Sequence, residues 1–169
     1  EHEGTYPLPE AQTDRFMFKV LVPYPERSSE QQVLDASLRG VFQQPIDPVF
    51  DISQLATLKQ QVARVQFEPR VRDYVLDIVT ASRHPERFGI EDICDLIDFG
   101  ISPRGGIFLA LAARAQAFLQ HRTFVTPDDV QAVAFDVLRH RMGLSFQAEA
   151  EEVATDDIIK RILKAIPVP

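Results

Sequence analysis

From Tyr24 to its end the chain is written in apolar stripes of helical spacing, punctuated by prolines and glycines, and that pattern leaves little room for a sheet. Ser28 and Gln31 stand at capping-box spacing before a stripe of Val33, Leu34, Leu38, Val41 and Phe42, which Pro45 and Pro48 bring to an end. Ser53 opens a second stripe of Leu55, Leu58, Val62 and Val65. Pro69 opens a third, with Val71, Val75, Ile78, Val79 and Ser82 on its inner face, and His84-Pro85 closes it. Residues 86–99 alternate carboxylates with Ile90, Ile93, Leu96 and Ile97, which predicts a short amphipathic helix with a solvated acidic face rather than a Mg²⁺ site. Two further helices follow, one from Ser102 to about Gln120 with an inner row of Phe108, Leu111, Ala115, Phe118 and Leu119. The next is the best specified: Thr126 as N-cap, Pro127 in first position, Asp128 and Asp129 against the dipole, Arg139 to Arg141 in the last turn. Val130, Val133, Ala134, Val137 and Leu138 face its core, Gly143 stops it, and a final helix spans residues 155–165. The sum is an all-α bundle of about five or six elements.

One stretch departs from this text. Residues 16–22 alternate, with Phe16, Phe18, Val20 and Val22 on one side and Met17, Lys19 and Leu21 on the other, which predicts a strand stopped by Pro23. A lone strand cannot satisfy its own backbone, so its sheet is expected to lie outside this chain. Residues 1–24 are therefore expected to be the end of an α/β domain (a loop, a short helix within residues 10–15, one strand), and residues 25–169 the helical domain.

Composition removes several function classes. Lys and Arg number 18 against 25 Asp and Glu, and a formal charge of -7 disfavours a nucleic-acid groove or an anionic membrane as the main partner. Any basic site must be local. A single cysteine, Cys94, allows neither an internal disulfide nor a cysteine-based zinc cluster, and reads as a buried apolar residue of a cytoplasmic protein. The four histidines lack metal-ligand spacing, so no metal site is expected. No apolar run reaches the length of a membrane span.

Within the helical text, Ser102-Pro103-Arg104 is the unusual opening. Ser102 can cap, Pro103 has no N–H to lose, and Arg104 falls in the first turn, where the helix dipole disfavours a cation. An anion would compensate, since free N–H groups and a guanidinium fork suit a phosphate. Gly105-Gly106 would let it approach closely. A plain ion pair with a carboxylate such as Asp98 would do equally well.

The whole stretch resembles the lid of the MoxR family of AAA+ ATPases, whose sensor-two motif is Ser-Pro-Arg followed by a small residue. The resemblance continues through Ala112-Ala113-Arg114-Ala115, Phe124-Val125-Thr126-Pro127-Asp128-Asp129-Val130 and Val137-Leu138-Arg139-His140-Arg141. At the other end, Gly4-Thr5-Tyr6-Pro7-Leu8-Pro9-Glu10-Ala11-Gln12 followed by Asp14-Arg15-Phe16 is similar to the family's segment between sensor one and the last core strand. The resemblance implies a sensor-two lid domain, with Arg104 reading the phosphates of its own subunit's nucleotide and Ser102 and Pro103 beside it. It also implies that Arg15 is the arginine finger acting in trans on a neighbour's nucleotide. Against that, residues alone would favour a pair of Arg15 with Asp14 or Glu10.

ATP and Mg²⁺ are expected in the full-length parent and neither is expected to bind this stretch tightly. No Gly-x-x-x-x-Gly-Lys-Ser/Thr cradle occurs here, so the chain by itself is not expected to hydrolyse ATP. The implied partners are the chain's own upstream core, a homo-oligomeric ring such as a hexamer, and a protein client served by a chaperone-like activity, for instance one with a von Willebrand factor A domain. A helical scaffold that binds protein and no nucleotide is the alternative. A helix-turn-helix DNA reader fits the acidic balance least.

Overall fold

The computed structural model describes residues 8–40 and 47–169. Its elements are helices α1 (Glu10–Thr13), α2 (Arg27–Leu38), α3 (Ile52–Ala63), α4 (Pro69–Ala81), α5 (Pro103–Leu119), α6 (Pro127–Leu138), α7 (Phe146–Ala150) and α8 (Thr155–Ala165). Two 3-10 turns, Pro85–Phe88 and Glu91–Leu96, and two short antiparallel strands, β1 (Ile97–Phe99) and β2 (Gly143–Leu144), complete the described elements. The chain divides into two compact units, Glu1–Lys19 with Gln61–Pro169, and Val20–Gln60.

The first unit is built around α5 and α6. Residues Leu109, Ala112, Ala113 and Ala117 line the inner face of α5 and are buried, opposite Val130, Ala134, Val137 and Leu138 of α6. The expected row through Phe108, Leu111 and Leu119 is displaced by about one position. Leu111 and Leu119 are exposed, because the small residues beside them let the helices approach closely. Helix α4 contributes Val71, Tyr74, Val75, Ile78 and Val79, and α8 contributes Ile158, Ile159 and Ile162. Cys94 is only half-buried.

Two predicted elements, one helix and one strand, differ. The acidic stretch after His84 forms 3-10 turns and then β1, since the chain must straighten at Ile97 to pair with Leu144. Residues 16–22 form no strand. Among the described residues no other strand lies beside them, and the backbone groups of Phe16, Met17 and Lys19 are met instead by α6 and the residues that follow it: Lys19 N–H donates to the Asp136 carbonyl at 2.8 Å.

The second unit contains α2 and most of α3. Neither helix has a buried residue, and Val33, Leu34, Leu38, Ile52 and Leu55 are all exposed. The Ser28–Gln31 capping box does not form, because the helix begins two residues earlier, at Arg27 with Glu26 as N-cap. Ser53 lies inside α3, where the Asp51 carboxylate accepts from its N–H at 2.8 Å and takes the capping role assigned to it. That bond, with one from the Ser53 hydroxyl, lowers the Asp51 pKa. Val41, Phe42 and Pro45, like residues 4–7, fall outside the described residues.

Candidate functional site

Helix α5 begins where a buried serine pins the chain. The Ser82 hydroxyl donates to Val79 O at 2.7 Å and accepts the Ile101 N–H at 2.9 Å, fixing the last residue before Ser102 onto α4. Gly100 passes so close to α4 that a Cβ there would meet the Ser82 carbonyl oxygen at 2.4 Å. The start of α5 is thus set by α4, not by its own cap.

Ser102 occupies the N-cap position with extended backbone, and Pro103 is the first helical residue. The Ser102 hydroxyl, however, does not turn back onto the helix. It donates across 88 positions of sequence to the Asp14 carboxylate, 3.1 Å from each oxygen. Arg104 reaches the same carboxylate, Nη1 to Oδ2 at 3.3 Å, and remains 45% exposed. The anion that a first-turn arginine calls for is therefore a carboxylate of the same chain, and it is Asp14 rather than Asp98.

Asp14 is held from below by Arg141, whose side chain is completely buried. The Arg141 Nε lies 3.1 Å from Asp14 Oδ1 without the alignment of a hydrogen bond. Its Nη groups donate to the main-chain carbonyls of Asp14 (3.0 Å), Met17 (3.3 Å), Phe16 and Val137. The guanidinium also stacks over Phe108, 4.9 Å from the ring centre. Burial lowers the Arg141 pKa, the nearby Asp14 charge opposes that, and the Arg104 charge adds to it.

The neighbours of Arg141 continue the grip. His140 Nε2 meets Phe16 O at 3.0 Å, and Arg139 Nη1 donates to Lys19 O at 2.8 Å while its Nε binds Asp156 of α8 at 3.0 Å. Arg139-His140-Arg141 is therefore a clamp on residues 14–19. Sequence reading placed these residues only as a last-turn complement to the dipole, because nothing local shows that their partners are carbonyls some 120 positions away. Burial is the main reason the His140 pKa is lowered, and the Arg141 and Lys19 charges reinforce it, against a bond to Phe16 O and the Asp14 charge.

Gly105 has no space to offer a ligand. A Cβ on it would meet Ile101 Cγ2 at 2.2 Å, and Arg141 Cδ lies on the same side. The glycine is required by packing, which corrects the expectation that it bares the backbone. Pro103 lines an apolar groove of about 550 Å³ with Val79 and Ile107, and Asp14 takes no part in that lining. Arg15, the other candidate, is exposed, and among the described residues its side chain has no hydrogen-bond or ion-pair partner. Asp14 and Glu10 do not pair with it, and Asp14 is engaged by Ser102, Arg104 and Arg141 instead.

The helix end fits an oxyanion. A carboxylate already occupies the place where the Ser102 hydroxyl and the Arg104 guanidinium converge, and a phosphate oxygen presents the same acceptor chemistry. No group of three or more His, Cys, Asp or Glu that could hold a metal occurs among the described residues. Nor is any described helix long and apolar enough to cross a membrane.

Residues 91–162 match the model of the AAA lid domain. Over its whole length the chain is 38% identical to Chaperone MoxR1 of Mycobacterium tuberculosis and 34% identical to Protein MoxR of Paracoccus denitrificans, covering 44% and 53% of them. A crystal structure of a candidate ATPase from Cytophaga hutchinsonii superposes with a TM-score of 0.94 at 35% identity, over 100% of this chain and 51% of that one. The chain thus spans about half the length of the relatives it matches.

Proposed function

Since the chain belongs to the MoxR family and carries an AAA lid domain, we propose that it closes over ATP bound to a preceding core and couples ATP binding and hydrolysis to chaperone-like remodelling of protein complexes. In this reading Arg104, with Ser102 and Pro103 shaping the helix end, contacts the phosphates of its own subunit. Arg15 reaches the nucleotide of the next subunit in a ring, taken as a hexamer. The domain division follows: residues 1–24 end the core and residues 25–169 form the lid. The setting is the cytoplasm, and the client is a protein, with a von Willebrand factor A domain protein as the leading class.

ATP with Mg²⁺ supplies the phosphoryl group whose transfer to water drives the cycle. The chain's residues bind and orient it. A guanidinium donates in a fixed fork to phosphate oxygens, and one supplied from a neighbour stabilises charge that develops during transfer. The observation that carries the reading is a contrast in exposure. Arg104 and Arg15 present guanidinium groups to solvent, whereas Arg141 and Arg139 are committed to the fold.

The test is the ATPase rate of the protein encoded by the complete gene. Arg104→Ala and Arg15→Ala should each abolish most turnover, and Arg15→Ala mixed with a subunit lacking its phosphate-binding lysine should regain some, as expected of a residue acting in trans. Turnover indifferent to both substitutions overturns the nucleotide roles and leaves the nucleotide-independent scaffold.

A further inference from the structure

The sensor reading sends Arg104 to a phosphate, yet here its guanidinium rests on Asp14, and it cannot serve both partners fully. We propose that Asp14 is a positioning residue, the counter-ion that Arg104 leaves when nucleotide arrives, while Arg141 keeps the carboxylate in place; this rests on the nucleotide reading of Arg104.

The two arginines around Asp14 are bound very unequally. Arg141 is inaccessible to solvent and tied to carbonyls of Asp14, Phe16, Met17 and Val137, so it cannot leave without dismantling the clamp. Arg104 is nearly half exposed and touches Asp14 through one contact at 3.3 Å. A solvated pair of that kind is weak. When Arg104 departs, the Asp14 carboxylate still has Arg141 beside Oδ1 and the Ser102 hydroxyl on both oxygens, so no buried charge is stranded. Departure also relieves the repulsion between two guanidinium groups sharing one carboxylate. The Asp14 main chain stays anchored by Arg141 throughout, so the exchange moves one side chain and leaves residues 14–19 where they are. Asp14 thereby sets how strongly a phosphate must compete to recruit Arg104.

The experiment measures binding of a non-hydrolysable ATP analogue to the full-length protein by titration calorimetry, for wild type, Asp14→Asn, Arg104→Ala and the double variant. Asp14→Asn should tighten binding about two- to fivefold, the range of an exposed ion pair, and the gain should vanish when Arg104 is already Ala. Asp14→Glu, which keeps the charge, should stay within about twofold of wild type. Unchanged or weaker binding in Asp14→Asn, or the same change in both Arg104 backgrounds, overturns the exchange and leaves Asp14 a purely structural anchor. If Arg104→Ala alone leaves affinity at the wild-type value, the sensor reading itself has failed, and the exchange falls with it. A measurement on the unaltered protein keeps the test independent of folding in the variants. Analogue binding should move the Arg104 guanidinium NMR resonance and leave that of Arg141 in place, and movement of both or of neither overturns the proposal.

Discussion

Helices α5 and α6 both open with a hydroxyl residue and a proline, and each has an arginine paired with an aspartate at that end, yet the two ends are built in opposite ways. At α6 everything is local. Thr126 and Asp129 form a capping box, and Arg122 grips Asp129 with two bonds of 2.6 Å while Asp129 is 2% exposed. At α5 the cap hydroxyl and the first-turn arginine both turn outward to a carboxylate about 90 positions away, at 3.1 to 3.3 Å. The first end is closed on itself and the second is held by a replaceable partner. Closure of that kind favours stability, and a loosely held cation is what a ligand site needs.

The largest effect should come from breaking the closed end. Asp129→Ala removes the carboxylate half of the capping box, worth ~0.5–2 kcal/mol on the scale of a cap, and charge-assisted hydrogen bonds worth ~1.5–3 kcal/mol. The loss should be about 2–4 kcal/mol, short of a fully buried pair because Arg122 keeps partial access to water. Urea unfolding should show it as a lower midpoint with an unchanged slope.

Next comes the packing beneath the open end. Gly105→Ala drives a methyl into Ile101 and crowds Arg141, for a loss of about 1–3 kcal/mol. Protease cleavage within residues 14–19 should accelerate more than global unfolding does, since the crowded side chain is the one that holds that segment. An equal acceleration of both would place the strain elsewhere.

Acidification separates the ends again. The folded-state pKa values of His140 and Asp129 are both lowered, so in each case the unfolded chain binds more protons and stability falls as pH falls. Burial dominates at His140. At Asp129 burial opposes the shift, and the bonds from Arg122 and Thr126 outweigh it. Stability contributed by neutral His140 should begin to fall near pH 6.5, its ordinary value, and that of Asp129 only below 3.8. His140→Gln should remove the first stage and leave the second, as read from melting temperature against pH.

The difference between the ends also explains what the sequence could disclose. Thr126, Pro127 and Asp129 lie within four positions, the inner residues of α6 recur at local helical spacing, and the final helix was legible to its boundaries for the same reason. Ser102-Pro103-Arg104 announced a helix start and the need for an anion. It could not announce Asp14, because the answer depends on α4 fixing Ile101 and on Arg141 fixing residues 14–17. The alternation in residues 16–22 misled for a related reason: period-two spacing reports which faces differ, whereas a strand requires a neighbour, and the partners here are the side chains of Arg139, His140 and Arg141.

The smallest effect is the sharpest statement of the comparison. Arg104→Ala breaks a solvated, single-contact pair and leaves Asp14 neutralised by Arg141, so without nucleotide it should cost under about 1 kcal/mol. For a chain of this size that is a melting shift of no more than about 4 °C. The dipole argues for even less, because removing a cation from the first turn of α5 recovers a few tenths of a kcal/mol. Arg122→Ala, the corresponding change at α6, strands Asp129 in a buried position and should destabilise several times more. If the two substitutions cost the same, the open end is as structural as the closed one, and the case for Arg104 as a group kept available for a ligand is lost.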